Sequence, residues 1–370
     1  MLELRSCGGE RRQAMEDSYR QKIPRHAALD GVRAVAILGV VAFHYHDTLP
    51  TRGGFLGVQL FFVLSGFLIT SILASEFENA RTIRFRAFYL RRAWRLLPAL
   101  ALVLIPVALY ALTLGEPVRT ATFHEIAATV GYSDNWFQAF SKPPQTLMGH
   151  AWSLSVEEQF YVLWPALLLF ALRRRGRRGA FLLAVGIAVA AAIVRAVEYE
   201  GGLSVRYVYD SLEGRTDGLL IGAALALVAR RWRPHPALFV AACAYIAASL
   251  VLAQDGAFLY VAGLSLFSLA TAVLIAGVLH GDGRVRRLLE SGPLVWLGLR
   301  SYGVYLWQQP IYLALRDHLG GVVGPVIVAF PLTLAVAALS YRYVEQPLLR
   351  HARRRRKSRV LAAETAPATA

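Results

Sequence analysis

Arg33 and His44 stand eleven residues apart in the otherwise apolar run LDGVRAVAILGVVAFHYH. Eleven helical steps of about 100° fall within about 20° of three full turns, so both side chains share one face, about 16 Å apart along the axis. A histidine is suited to taking a proton from a hydroxyl near neutral pH, and an arginine to holding an anion. The competing reading makes His44 an interface marker beside His46. A second group lies in HAWSLSVEEQFYVLWP, residues 150–165, where Glu157 and Glu158 enter an apolar stretch between Trp152 and Trp164. Adjacent helical carboxylates point about 100° apart, so at most one faces a given partner squarely. They read equally as groups that orient and stabilise a charged imidazole or as a wet helix start with an aromatic belt. A third group, FYLRRAWRLLPAL (88–100), puts Arg92 and Arg95 on one helical face, and the planar arginine fork suits phosphate.

Weaker signals are spread along the chain. Trp152, Ser155, Arg215, Asp217, Tyr302 and Gln308 are candidates to contact substrate. For Arg215 and Asp217, in RTDGLLIG, a mutual ion pair is the simpler expectation. SYGVYLWQQP also carries Tyr305, and YRYVEQP carries Glu345 just before Pro347. Gly57, Ser65 and Gly66 in GGFLGVQLFFVLSGFLI suit close helix packing or backbone approach to a ligand. His44, His46 and His150 lack a metal-ligand spacing, so no metal is expected.

These residues need elements to hold them, and composition says which. Of 370 residues, 56% are hydrophobic and only 17% charged, where a soluble domain carries about a quarter. That excludes a soluble or disordered chain. Two cysteines, Cys7 and Cys243, exclude a disulfide framework. The net charge of +16 comes in short bursts between apolar runs, not in a nucleic-acid-binding face. A spanning helix needs about 20 apolar residues, and the sequence predicts ten: 30–48, 55–76, 96–115, 153–172, 179–197, 214–230, 236–253, 258–279, 294–315 and 322–343. The fold expected is an all-α integral membrane protein. Of the 40 Lys and Arg residues, 30 fall in the N-terminal segment, the tail and alternate loops, and 5 in the opposite loops. The positive-inside rule then puts both termini in the cytoplasm. Residues 1–27 form a basic cytoplasmic segment with no signal-peptide core, 28–348 the membrane domain, and 349–370 a basic, then Ala/Thr-rich tail expected to be disordered. The longest loop, about 116–152, has room for structure of its own. Ionisable groups inside such spans cost about 2.5–3.5 kcal/mol each, which marks Arg33, His44 and the glutamates as functional candidates.

Arg33-x10-His44, GVQLFFVLSGF, FYLRRAWRLLPAL, HAWSLSVEEQFY, RTDGLLIG, LGLRSYGVYLWQQP and YRYVEQP together resemble the ordered signatures of the membrane acyltransferase-3 family, across about residues 28–348. The resemblance implies acyl transfer from an acyl-CoA thioester, acetyl-CoA above all, to a hydroxyl of a carbohydrate or glycosylated metabolite, in the cytoplasmic (inner) membrane of a bacterium. Acyl-CoA would be a donor substrate, with no tightly bound cofactor. The family's essential histidine maps to His44, its helix-one arginine to Arg33, and its arginine pair to Arg92 and Arg95. His44 would act as general base or transient acyl carrier, with Glu157 or Glu158 orienting it. Two positions depart from the pattern: Gln59 stands where members often carry an acid, and Gln308 where they often carry a histidine. With no appended extracytoplasmic domain in view, the peptidoglycan-type members are a less natural match. The alternative function is a transporter whose buried polar groups line a permeation path, although no repeated halves of the usual kind occur.

Overall fold

The computed structural model describes residues 26–45, 52–141, 143, 146–251, 256–319 and 323–351. All but the last two residues of the expected N-terminal segment, nearly all of the tail, His46 and Lys142 lie outside the described residues. Among the described residues every regular element is helical: α1 Ala27–His44, α2 Leu56–Ala80, α3 Phe85–Ala111, α4 Val118–Val130, α5 Asp134–Ser141, α6 Trp152–Glu200, α7 Val205–Asp210, α8 Leu212–Val228, α9 Pro236–Val251, α10 Leu264–His280, α11 Arg284–Leu289, α12 Gly292–Leu319 and α13 Val323–Ser340. A π-helical turn, Leu259–Gly263, leads into α10, and another, Tyr341–Glu345, follows α13.

Six helical runs are long and apolar enough to cross a membrane: α1, α2, α3, α6, Leu259–His280 and Gly324–His351. The chain is therefore a multi-pass membrane protein. α9 is apolar but shorter, while α8 and α12 occupy two more of the predicted stretches. α6 covers two predicted spans in 49 residues, broken at Gly176, where φ is +62° and ψ −162°. Glycine adopts that geometry without a Cβ clash, and the basic run 173–178 surrounds it. The apolar stretch expected over 96–115 lies in α3, which starts earlier at Phe85, carries Arg91, Arg92 and Arg95 as helical residues in keeping with the shared helical face expected of Arg92 and Arg95, and ends earlier at Ala111. The arginines do not end the helix, because straight-chain residues are good helix formers and Phe88 packs on the same buried side as Leu96, Ala99 and Leu100. The 116–152 loop holds α4 and α5, with the structure of its own that its length allowed.

The core forms where α8 packs against α2 and α6, and where α1 packs against α12. Small residues set the α2–α8 distance: a Cβ at Gly66 would collide with the Leu219 carbonyl, and one at Gly222 with the Val63 carbonyl. Such close approach is how helices associate in a medium that gives no hydrophobic drive between them. It brings α1, α2, α6 and α12 around a common interior.

Candidate active site

Two neighbouring hollows occupy that interior. The larger, about 260 Å³, is lined by Arg33 of α1, Ser65 of α2, Arg92 and Arg95 of α3, Glu157 and Tyr161 of α6, and Ser301 and Tyr302 of α12, among apolar side chains. The three arginines expected to hold an anion therefore converge, although they come from two helices. Their commitments differ. Arg92 forms an ion pair with Glu158 at 2.9 Å and lies 3.4 Å over the Tyr161 ring centroid. Arg33 Nε donates to Ser301 Oγ at 3.3 Å. Arg95 makes no hydrogen bond or ion pair among the described residues and is exposed to the hollow. Glu157 accepts from Ser65 Oγ (2.8 Å) and Tyr161 Oη (3.2 Å). Tyr302 Oη donates to the Leu96 carbonyl at 3.1 Å, tying α12 to α3.

The smaller hollow, about 50 Å³, is lined by Val40, Phe43, His44, Phe55, Val58, His150, Trp152, Tyr209 and Tyr305. Val58 and Tyr305 border both hollows. His44 Nδ1–H donates to the Val40 carbonyl at 2.8 Å, which leaves the lone pair of the neutral ring on Nε2. The Gln308 amide lies 3.3 Å from the same Nδ1. This departure from the family pattern thus keeps contact with the imidazole but brings a group that does not titrate. The Val40 carbonyl thus fixes the His44 ring, while Glu157 bonds Ser65 and Tyr161 and Glu158 pairs with Arg92 on the arginine side.

His150 is the residue that sequence reading passed over. Its ring stands edge-on to His44, centroids 6.2 Å apart, and 5.0 Å from the Tyr305 ring. It is buried, and neither ring nitrogen meets a hydrogen-bonding partner among the described residues. Burial, and then the neighbouring His44, lower its pKa to about 3, with the nearby Leu306 and Tyr305 carbonyls acting in the opposite direction. His150 is therefore a neutral imidazole. Tyr305 Oη bonds both the His150 carbonyl and Ser153 Oγ. The available signal was its place two residues before Trp152, but its nearness to His44 is set by tertiary packing.

The turn that carries His150 is held from outside the membrane helices. Glu125 of α4 accepts from Thr146 Oγ1 (2.5 Å), Gln138 Nε2 (2.6 Å) and Met148 N (3.0 Å). Burial raises its pKa to about 7 despite these bonds. Asp134 of α5, both of whose carboxylate oxygens are buried without a partner among the described residues, is raised to about 9 by burial and then by Glu125 and Asp210. Ser155 Oγ accepts from the Asp134 backbone amide at 3.1 Å, so this substrate-binding candidate anchors α5.

Arg215 and Asp217 do not form the expected pair. Asp217 Oδ2 pairs with Arg195 Nη1 at 2.8 Å and accepts from Ser265 Oγ at 2.6 Å. The reason is geometric: residues two apart on a helix diverge by about 200°, which aims Asp217 at α6 and the π turn, where Arg195 also donates to the Tyr260 carbonyl. Arg215 lies instead against the rings of Tyr209, Trp152 and Phe62, with centroids 4.5–5.6 Å from its guanidinium carbon. Gln59 donates to Ser268 Oγ at 2.7 Å and lies 3.5 Å from Asp217; an acid there would face a carboxylate. Among the described residues no group of His, Cys, Asp and Glu could hold a metal ion.

The helices of this multi-pass membrane protein thus bring an arginine-lined hollow and a histidine chamber side by side. The chain belongs to the acyltransferase-3 family, whose acyltransferase domain matches residues 26–342. It is 33% identical over 349 residues to the Bacillus subtilis protein named "Putative peptidoglycan O-acetyltransferase YrhL", covering 86% of this chain and 54% of that one. It is 30% identical over 347 residues to the peptidoglycan O-acetyltransferase OatA of Listeria monocytogenes, covering 87% and 55%. The chain thus spans about half the length of the curated relatives it matches. Both relatives are named for peptidoglycan O-acetylation, the type that the sequence reading made the less natural match. No solved structure matches it.

Proposed function

We propose that this protein transfers an acyl group, acetyl as in the names of its relatives, from acyl-CoA to a hydroxyl of a cell-envelope glycan, in the inner membrane of a bacterium. The reading includes ten membrane crossings with both termini cytoplasmic, which puts the Arg33 end of α1 toward the cytoplasm and His44 toward the outer face. The observation that carries it is the sharing of Val58 and Tyr305 by a hollow with three arginines and a chamber with His44.

In this reading Arg95, Arg33 and Arg92 bind the phosphates of CoA through charge-assisted hydrogen bonds. The pantetheine arm runs past Tyr305 and brings the thioester to the His44 chamber, about 16 Å along α1 from Arg33. His44 Nε2 takes the acceptor proton as the hydroxyl oxygen attacks the thioester carbon. Holding donor and acceptor together in a small, mostly apolar chamber makes the step effectively unimolecular. The test is transfer of labelled acetyl from acetyl-CoA by the full chain in nanodiscs. His44→Ala should end turnover while CoA binding persists. An active His44→Ala variant would overturn the reading.

A further inference from the structure

We propose that His150 is a second catalytic histidine, which donates a ring N–H hydrogen bond to the carbonyl oxygen of the acyl group during transfer. The inference rests on the acyl-transfer reading above and assigns the one part of that reaction for which no group has yet been named.

The chamber's lining narrows the choice. Val40, Phe43, Phe55 and Val58 offer no polar side-chain atom. Tyr305 Oη is engaged with the His150 carbonyl and Ser153. Trp152 and Tyr209 pack on each other, centroids 4.9 Å apart, with ring faces toward Arg215, and neither has a polar side-chain atom that is buried without a partner. His150 alone among the lining residues has every side-chain heteroatom buried and without a partner among the described residues. Polar groups in protein interiors are almost always hydrogen-bonded, and an exception calls for an explanation such as a catalytic role. An oxygen atom placed between the two imidazoles supplies one.

The roles then divide by proton inventory. The acceptor oxygen bonds to the thioester carbon, and its proton passes to His44 Nε2. The carbonyl π pair moves onto oxygen, where the His150 N–H meets the growing negative charge. As that pair returns, the carbon–sulfur bond breaks, and the departing thiolate takes the proton back from His44, which leaves an ester and a thiol. His150 keeps its own proton throughout. A neutral donor held in place before the reaction needs no reorganisation as charge develops, which is what makes such a donor effective. The position is secured: Glu125 holds Thr146 and Met148 of the same turn, and Tyr305 holds the His150 carbonyl.

The experiment uses the full chain in nanodiscs, with acetyl-CoA as donor and chitotetraose as the hydroxyl probe, following release of the CoA thiol and acetylation of the sugar. His150→Phe keeps a ring of similar bulk without a donor and should lower kcat by about 10²- to 10³-fold, as expected for loss of an oxyanion donor, with the acetyl-CoA KM changed less than twofold. His150→Gln restores an N–H and should recover to within about tenfold of the wild type. Thermal unfolding and CoA binding of each variant serve as the folding check, and the Gln variant decides the matter if the Phe variant is unstable. Phe and Gln variants that are equally impaired, or a Phe variant at wild-type kcat, would overturn the role of His150. If His44→Ala is dead while His150→Phe is fully active, the acyl-transfer reading stands and only this inference falls. If the wild type releases no thiol, both fall.

Discussion

The hollow under Arg33, Arg92 and Arg95 and the chamber around His44 meet at Val58 and Tyr305, yet they are built on opposite electrostatic plans. The first is charged and partly open, with Arg92 held by Glu158 and Tyr161 while Arg95 stays without an ionic partner. The second is small, enclosed by aromatic rings, and holds two imidazoles in place of a charge pair. The contrast suits a donor with phosphates at one end and a reacting carbonyl at the other. Permanent cations bind where binding is all that is needed. In that reading, groups that can gain and lose a proton sit in the small chamber lined mostly by apolar and aromatic side chains, where local dipoles act more strongly than in water.

Removing chemistry from one side and affinity from the other sharpens that division. The largest effect should come from His44→Ala, which should lower kcat by about 10²- to 10⁴-fold, the usual contribution of a general base. Its CoA affinity, read by calorimetry in nanodiscs, should match the wild type. Arg95→Ala should do the reverse and raise the acetyl-CoA KM by about 10- to 100-fold, the scale of a lost charged hydrogen bond, with kcat largely preserved. Arg95→Lys keeps the charge but not the fork, so a rise of about tenfold at most is expected. A kcat loss in Arg95→Ala without a KM change would erase the distinction between the two hollows.

Tyr305→Phe tests the shared wall. It keeps the ring but frees Ser153 and the His150 carbonyl, so kcat should fall by about fivefold, the value of roughly one neutral hydrogen bond. An unchanged kcat would reduce Tyr305 to a spacer.

The smallest effect concerns the turn that carries His150. Asp134 has a folded-state pKa raised to about 9, so its contribution to stability is complete below its unfolded value of about 3.8 and is lost as pH rises through about 9. The midpoint of thermal unfolding should therefore drop between pH 7 and pH 9.5. Asp134→Asn should flatten that slope and raise the midpoint at pH 9.5 by on the order of 2 °C. Equal slopes in the two proteins would show that Asp134 does not titrate in this range.

How much of this was written in the residues differs between the two regions. The all-helical, membrane-spanning character follows from apolar runs of bilayer length, and the shared face of Arg33 and His44 from helical periodicity alone, because both depend only on neighbours within a few turns. The i,i+3 spacing likewise brings Arg92 and Arg95 to one hollow. The Gly176 break in α6 was legible as an arginine burst between two apolar runs. What local periodicity could not supply is the choice of partner. Gln308 reaches His44 from 264 residues away, Glu158 turns to Arg92 across 66, and Asp217 passes over Arg215, two residues away, for Arg195 on another helix. The turn that sets His150 beside His44 is held by Glu125 of α4, 23 residues before Met148. A buried polar side chain takes whichever complementary group packing leaves beside it, and an unpaired one costs about 1–3 kcal/mol. Those pairings were therefore decided by helix packing, while the helices themselves were decided by the sequence.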